Sequence, residues 1–195
     1  MENFELYNPV RIIFGPGEVS RTGEEAAKLG KKAMVVSYKE HDFFIDLLKS
    51  VESMLTTAGL GVVPFYEVTA NPLMGQVDAA VRQCKDEDVD IVIAVGGGSA
   101  MDVAKITAAG VYYQGDLWEM IVSRHDQEVA EPPEKALPLL MVPTLPATSS
   151  EMNCGAVVTN ERTTEKSYVF AECLYPTVSI VDPSLTCSLP PYQTA

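Results

Sequence analysis

Asp90-Ile91-Val92-Ile93-Ala94-Val95 runs straight into Gly96-Gly97-Gly98 and then Ser99-Ala100-Met101-Asp102-Val103-Ala104-Lys105, and this stretch decides how the chain is read. A short apolar run rich in β-branched residues predicts a buried strand. The residues from Ser99 to about Ala109 predict a helix, with Asp102 in its first turn, where the positive end of the helix dipole favours an acid. Three glycines between strand and helix leave backbone N–H groups open to close approach, the setting in which amides hold a phosphate. The spacing matches neither G-x-G-x-x-G nor the P-loop. A tight turn that needs glycine only for its backbone angles is the competing reading.

Working outward, the first 145 residues alternate strand-like and helical patterns, which implies parallel strands joined by helical crossovers. Strands are predicted at 11–14, 32–37, 61–66, 90–95 and 137–142. Helical patterns occupy 18–29, 43–58 and 77–85, and a further short helix is predicted over 112–122. The second of these carries a stripe at Phe44, Leu47, Leu48, Val51 and Leu55, stopped by Gly59. Gly15-Pro16-Gly17 reads as a turn, Asn71-Pro72 as another, and 124–135 as a polar connection. Beyond Pro143 the pattern changes. Gly155–Thr159 and Lys166–Phe170 suggest a hairpin, and Thr177–Val181 a last strand before Asp182-Pro183. Pro190-Pro191 would suit the start of a helix, so a further element is expected where the sequence stops.

Composition narrows the partners. The 195 residues carry 27 acidic and 14 basic side chains, a net charge of −13, so the summed field repels polyanions and argues against nucleic acid. Any phosphate ligand must then be held by backbone amides. No run approaches the roughly 18 apolar residues of a membrane span. The first residues lack the features of a signal peptide, which leads to an expected cytoplasmic address. Cys84, Cys154, Cys173 and Cys187 form no C-x-x-C pair and read as reduced thiols. With His41 and His125 the only histidines, a self-contained metal site is poorly supplied with ligands.

A second constellation follows the strand at 137–142. Pro143-Thr144-Leu145-Pro146-Ala147-Thr148-Ser149-Ser150-Glu151 is rich in small hydroxyls ahead of an acid. Thr148 and Glu151 have capping-box spacing, so a helix N-cap and a ligand-contacting loop both remain open. The glycine and hydroxyl segments both fall at carboxyl ends of strands, where open α/β sheets bind ligands.

Six segments in order resemble the iron-containing alcohol dehydrogenase family, in its butanol-dehydrogenase-like branch. They are Phe14-Gly15-Pro16-Gly17, Asn71-Pro72, Gly96-Gly97-Gly98-Ser99 with Asp102 and Lys105, Ala108–Tyr113, Pro143–Glu151, and Val181-Asp182-Pro183. The resemblance covers essentially the whole chain and corresponds to the family's N-terminal half. It implies a Rossmann-like α/β fold, a parallel sheet flanked by helices with a β-hairpin near the C-terminus. It also implies that residues 1–195 form an NAD(P)-binding domain, with the family's all-helical metal domain absent.

The resemblance further implies that Gly97, Gly98 and Ser99 hold the dinucleotide pyrophosphate and that Asp102 stands near the nicotinamide side; Gly96 joins them as a cofactor-binding candidate through the glycine run itself. Thr144 and Thr148 match positions touching adenine and the nicotinamide half, and Lys166 a position near the nicotinamide ribose. Ala147 and Ser149 replace the family's usual glycines. The iron or zinc of the family is held by one aspartate and three histidines, all matching positions past Ala195, so the expectation is a nucleotide-binding half that is inactive alone. A stand-alone dinucleotide-binding module without catalysis, or a glycerol-dehydrogenase-like or dehydroquinate-synthase-like relative, are the rival readings. For the parent protein a small alcohol or aldehyde substrate and a homo-oligomer are expected. Many NAD-preferring relatives place an acid where this chain has Tyr38. Tyr38 and Lys39 therefore lean the expected cofactor toward NADP over NAD.

Overall fold

The structure, a computed structural model, describes residues 5, 7–39, 45–121, 131–187 and 189. Six strands form one parallel sheet: β1 (Arg11–Phe14), β2 (Lys32–Tyr38), β3 (Gly61–Val68), β4 (Ile91–Gly96), β5 (Leu139–Pro143) and β8 (Val178–Val181). Their order is β1-β8-β5-β4-β2-β3. The remaining pair, β6 (Gly155–Asn160) and β7 (Glu165–Phe170), makes a separate antiparallel hairpin. Among the described residues there are four α-helices: α1 (Thr22–Ala27), α2 (Ile45–Thr57), α3 (Met74–Asp86) and α4 (Gly98–Gly110). This is the expected Rossmann-like arrangement.

β4 is buried along its whole length because both of its faces are covered. Ile91, Ile93 and Val95 pack with Leu48, Val51 and Leu55 of α2, while Val92 and Ala94 join the core on the other face with residues of α3 and α4. A central parallel strand therefore reads as an unbroken apolar run rather than an alternation. Pro64 is tolerated inside β3 because β3 is an edge strand.

α4 is unusual in that every residue from Ala100 to Gly110 is buried. The sheet covers one side, α3 packs beside it, and the hairpin lies over the rest through Ala156, Val158 and Val169. A helix without a polar face must be enclosed in this way.

Several boundaries differ from the sequence expectation. The helical segment at 18–29 splits into a 3-10 turn, Glu18–Arg21, and α1. There Thr22 Oγ1 bonds back to the Val19 carbonyl, and Gly23 lies so close to the Met54 carbonyl of α2 that a Cβ would stand 2.3 Å from it. α3 begins at Met74, three residues early, because Gln76 Oε1 accepts the Leu73 N–H and replaces a conventional cap. The short helix predicted over 112–122 reduces to a 3-10 turn, Leu117–Met120, begun by Gly115 at φ +113° and capped by the Asp116 carboxylate on the Trp118 N–H. Asp102 lies one turn inside α4, not in its first turn, because the helix starts at Gly98. Phe43, Phe44, most of 124–135, Pro190 and Pro191 lie outside the described residues.

One buried charge ties β1 to α1. The Glu25 carboxylate receives Arg11, Arg21 and Lys28, and the Arg11 hydrogen bond is the main cause that lowers its pKa to about 2. Since the folded value lies below the unfolded one, the ionised carboxylate stabilises the fold above about pH 4.5, and that contribution disappears as the pH falls toward 2. Glu25→Gln is expected to lower the unfolding free energy at neutral pH by about 1–3 kcal/mol. Urea titrations at neutral and acid pH should show the gap to wild type narrowing as the medium becomes acid.

Candidate functional site

The strand order reverses direction between β2 and β4. From β2 the chain passes outward to β3, then returns to β4 on the other side of β2. At such a switch point the loops leaving the two carboxyl ends part and open a crevice. β2 ends at Tyr38 and β4 at Gly96, so two predicted site segments meet there.

The glycine turn is shaped by more than backbone freedom. Gly96 has φ +150°, and a Cβ on it would stand 2.9 Å from the Tyr38 ring and 3.0 Å from Ala100 Cβ. Gly97 precedes α4 with extended backbone, and its carbonyl accepts the N–H groups of Ala100 and Met101. A Cβ on Gly98 would stand 2.9 Å from Thr148 Oγ1, so the hydroxyl loop lies directly against the glycine turn. Thr144 N–H donates to the Gly96 carbonyl at 3.0 Å, which fastens the start of that loop to the end of β4. The structure therefore brings Gly96, Gly97, Gly98, Ser99, Thr144, Thr148 and Tyr38 together at one end of the sheet.

Tyr38 packs on the glycine turn. Its ring lies over Gly96, and its hydroxyl accepts the Gly97 N–H at 3.2 Å. Burial raises the pKa of this phenol, so the neutral hydroxyl rests against the first amides of α4. Lys39 is exposed, and its ammonium lies 3.7 Å from the Glu67 carboxylate.

No helix follows Thr148, which settles the capping-box alternative against the helix. The chain turns instead at Ser149, whose φ of +53° is the left-handed conformation that glycine adopts without cost. The serine standing for the family's usual glycine thus keeps a glycine-like path. The Met152 N–H closes the turn on the Ser149 carbonyl at 2.9 Å.

Asp102 and Lys166 both engage the protein itself. Asp102 is 8% exposed; its Oδ1 accepts from Ser150 Oγ at 2.9 Å and its Oδ2 from the Val157 N–H at 3.1 Å. Burial raises its pKa, and those two hydrogen bonds oppose the rise. Its carboxylate joins α4 to the hydroxyl loop and the hairpin. Lys166, on the exposed face of β7, donates to Asn71 Oδ1 at 2.9 Å. The Asn71-Pro72 turn is held to the hairpin a second time, by the Thr159 N–H on the Pro72 carbonyl. Gly15-Pro16-Gly17 is a turn, as read: the Gly15 N–H donates to the Val181 carbonyl, and buried Asp182 accepts the Val19 N–H.

Ser150 and Asn153 escaped the sequence reading. Ser150 offered only a hydroxyl among many, and Asn153 belonged to no motif. Their roles depend on distant residues of α4.

A model of the family described as "Iron-containing alcohol dehydrogenase" matches residues 9–183. The chain belongs to that family. It is 39% identical over its full length to the probable NADH-dependent butanol dehydrogenase 1 of Bacillus subtilis, covering 49% of that protein. It is 30% identical to the NADPH-dependent aldehyde reductase YqhD of Escherichia coli, again covering 49%. The crystal structure of NADH-dependent butanol dehydrogenase A from Thermotoga maritima superposes on the whole chain with a TM-score of 0.90 at 40% identity, and the chain covers 48% of it. The chain thus spans about half the length of the relatives it matches.

The glycine turn yields a direct prediction. Gly96→Ala introduces both a strained φ and two close contacts, and is expected to lower the unfolding free energy by about 2 kcal/mol or more, read by urea denaturation.

Proposed function

We propose that residues 1–195 are the NAD(P)-binding N-terminal domain of a metal-assisted alcohol dehydrogenase, the half that holds the hydride carrier. The observation that carries this reading is the convergence, at the β2/β4 switch point, of the N-terminus of α4, the side-chain-free turn Gly96–Gly98 and the hydroxyl loop at Thr148. Backbone amides are the fitting phosphate donors for a chain with a charge of −13. Glycine at 98 lets the hydroxyl loop pack against the start of α4, since a Cβ there would meet Thr148 Oγ1 at 2.9 Å.

In this reading the amides of Gly97, Gly98 and Ser99 hold the pyrophosphate. Tyr38 yields the Gly97 N–H, which its hydroxyl otherwise occupies. Thr144 and Thr148 line the side toward adenine and the nicotinamide half, and Lys166 the nicotinamide ribose. Asp102 keeps Ser150 and the hairpin in place near the nicotinamide side. The bound dinucleotide supplies the hydride acceptor, taking hydride from a primary alcohol or delivering it to an aldehyde. Among the described residues no three His, Cys, Asp or Glu side chains gather as a metal site. Phe14, Tyr168 and Phe170 are exposed and offer apolar surface for a homo-oligomer. Among the described residues no helix is long and apolar enough to cross a membrane.

The decisive variant is Gly97→Val, which puts a branched side chain where the pyrophosphate must approach. Calorimetric titration should show dinucleotide affinity reduced more than about tenfold, or about 1.4 kcal/mol, with circular dichroism confirming a folded variant. Equal affinity would sink the phosphate-cradle reading.

Cofactor choice leans toward NADP(H), supported by the cation of Lys39 and the lack of an acid in Ser37-Tyr38-Lys39. An acid there would accept from the ribose 2′-OH and repel a 2′-phosphate. Lys39→Glu is expected to reverse the ratio of NADP to NAD affinities; tighter NAD binding by the wild type would refute the preference.

A further inference from the structure

Beneath the hairpin lies a charged group that the cofactor reading leaves without a task. Lys105 projects from the middle of α4 and has no exposed surface. Its Nζ donates to the Asn153 carbonyl at 2.7 Å, to Asn153 Oδ1 at 2.9 Å and to the Gly155 carbonyl at 2.9 Å. An ammonium has three N–H donors, and here each has an oxygen. Asn153 is engaged from its other end as well. Its Nδ2 donates to the Thr148 carbonyl at 3.2 Å, and its Oδ1 also accepts the Gly155 N–H at 2.9 Å. One amide side chain thus joins the buried helix, the hydroxyl loop and the first residue of the hairpin.

We propose that Asn153, anchored by Lys105, is the positioning residue of the dinucleotide site: it holds Thr148 against Gly98 and so fixes how the hydroxyl loop stands beside the glycine turn that receives the cofactor. This inference rests on the dinucleotide reading above. The loop needs such a tie. Residues 144–150 form no helix or strand, Ala147, Thr148 and Ser149 are exposed, and Ser149 holds a left-handed backbone. Between Thr144, fixed to Gly96, and Ser150, fixed to Asp102, the Asn153 amide secures the Thr148 carbonyl.

The anchor is firm because of its charge. A buried ammonium is costly unless its partners stay in place, so any movement of Asn153 or Gly155 would leave the charge short of acceptors. The ionisable groups facing Lys105 are Asp102 on its own helix and Glu151 and Cys154 on the loop. Burial draws the Lys105 pKa down to about 8, with Asp102 the chief opposing influence. Both Asp102 oxygens are taken by Ser150 and Val157, so Asn153 and Gly155 supply the direct contacts.

Asn153→Ala in the 195-residue chain tests the proposal. It removes the tie to Thr148 without changing charge, and Lys105 keeps two backbone carbonyls. NAD and NADP affinities by calorimetry, thermal melting, and hydrogen exchange at the amides of residues 145 and 147–150 are compared with wild type. The expected result is affinity reduced about tenfold and faster exchange confined to that loop, while the melting temperature stays within a few degrees. A merely structural asparagine would shift melting and leave affinity unchanged. Unaltered affinity with unaltered loop exchange overturns the proposal. Wild type that binds neither nucleotide overturns the dinucleotide reading instead, and the exchange of the loop then decides separately whether Asn153 holds it.

Discussion

A helix with no polar face imposes its own surroundings. α4 carries Ala, Val, Ile and Met residues all round its axis, and in water it would expose apolar surface on every side. The parallel sheet covers one side and α3 another, but the outer side needs a third layer. The hairpin β6–β7 provides it, with Ala156, Val158 and Val169 turned inward and Val157, Tyr168 and Phe170 outward. Once the hairpin must lie there, the loop from β5 has to travel past the N-terminal turns of α4 to reach it. The hydroxyl loop therefore meets the glycine turn as a consequence of covering the helix.

The polar residues of α4 make sense in the same frame. Asp102 and Lys105 are enclosed when the hairpin closes, and each must then find partners in the layer that buries it. Asp102 takes a hydroxyl and an amide; Lys105 takes three oxygens. Apolar residues would cover the helix equally well, but they would leave the hairpin free to slide. Directional bonds to Ser150, Asn153, Gly155 and Val157 set its position. Since Ser150 and Asn153 flank the turn after Thr148, the same bonds orient the loop that faces the crevice.

Tyr38 illustrates how a site stays intact before its ligand arrives. The first amides of a helix lack partners within it, and a buried N–H without an acceptor is costly. The phenol hydroxyl satisfies Gly97 while its ring covers Gly96, whose conformation no larger residue fits. The amides that suit a phosphate are thus kept in shape by a neighbouring strand.

The fold was legible in the sequence wherever local pattern and burial coincide. The unbroken run at 91–95, the stripe of α2 and the glycines at 30 and 59 after α1 and α2 needed no tertiary information; a parallel sheet covered on both faces leaves its strands uniformly apolar. The glycine turn was equally plain, since three successive glycines between strand and helix have few other uses. Other features depended on residues far away in the chain. The split of the first helical segment follows from a backbone contact with α2, and the early start of α3 from a side chain that replaces the usual cap. The absence of a helix after Thr148 follows from a loop tied to Gly96, Asp102 and Asn153. The resemblance to the family implied that Asp102, Tyr38 and Lys166 face a ligand. Only the tertiary structure gave them protein partners, because a hydrogen bond across 48, 59 or 95 residues is invisible to any local pattern.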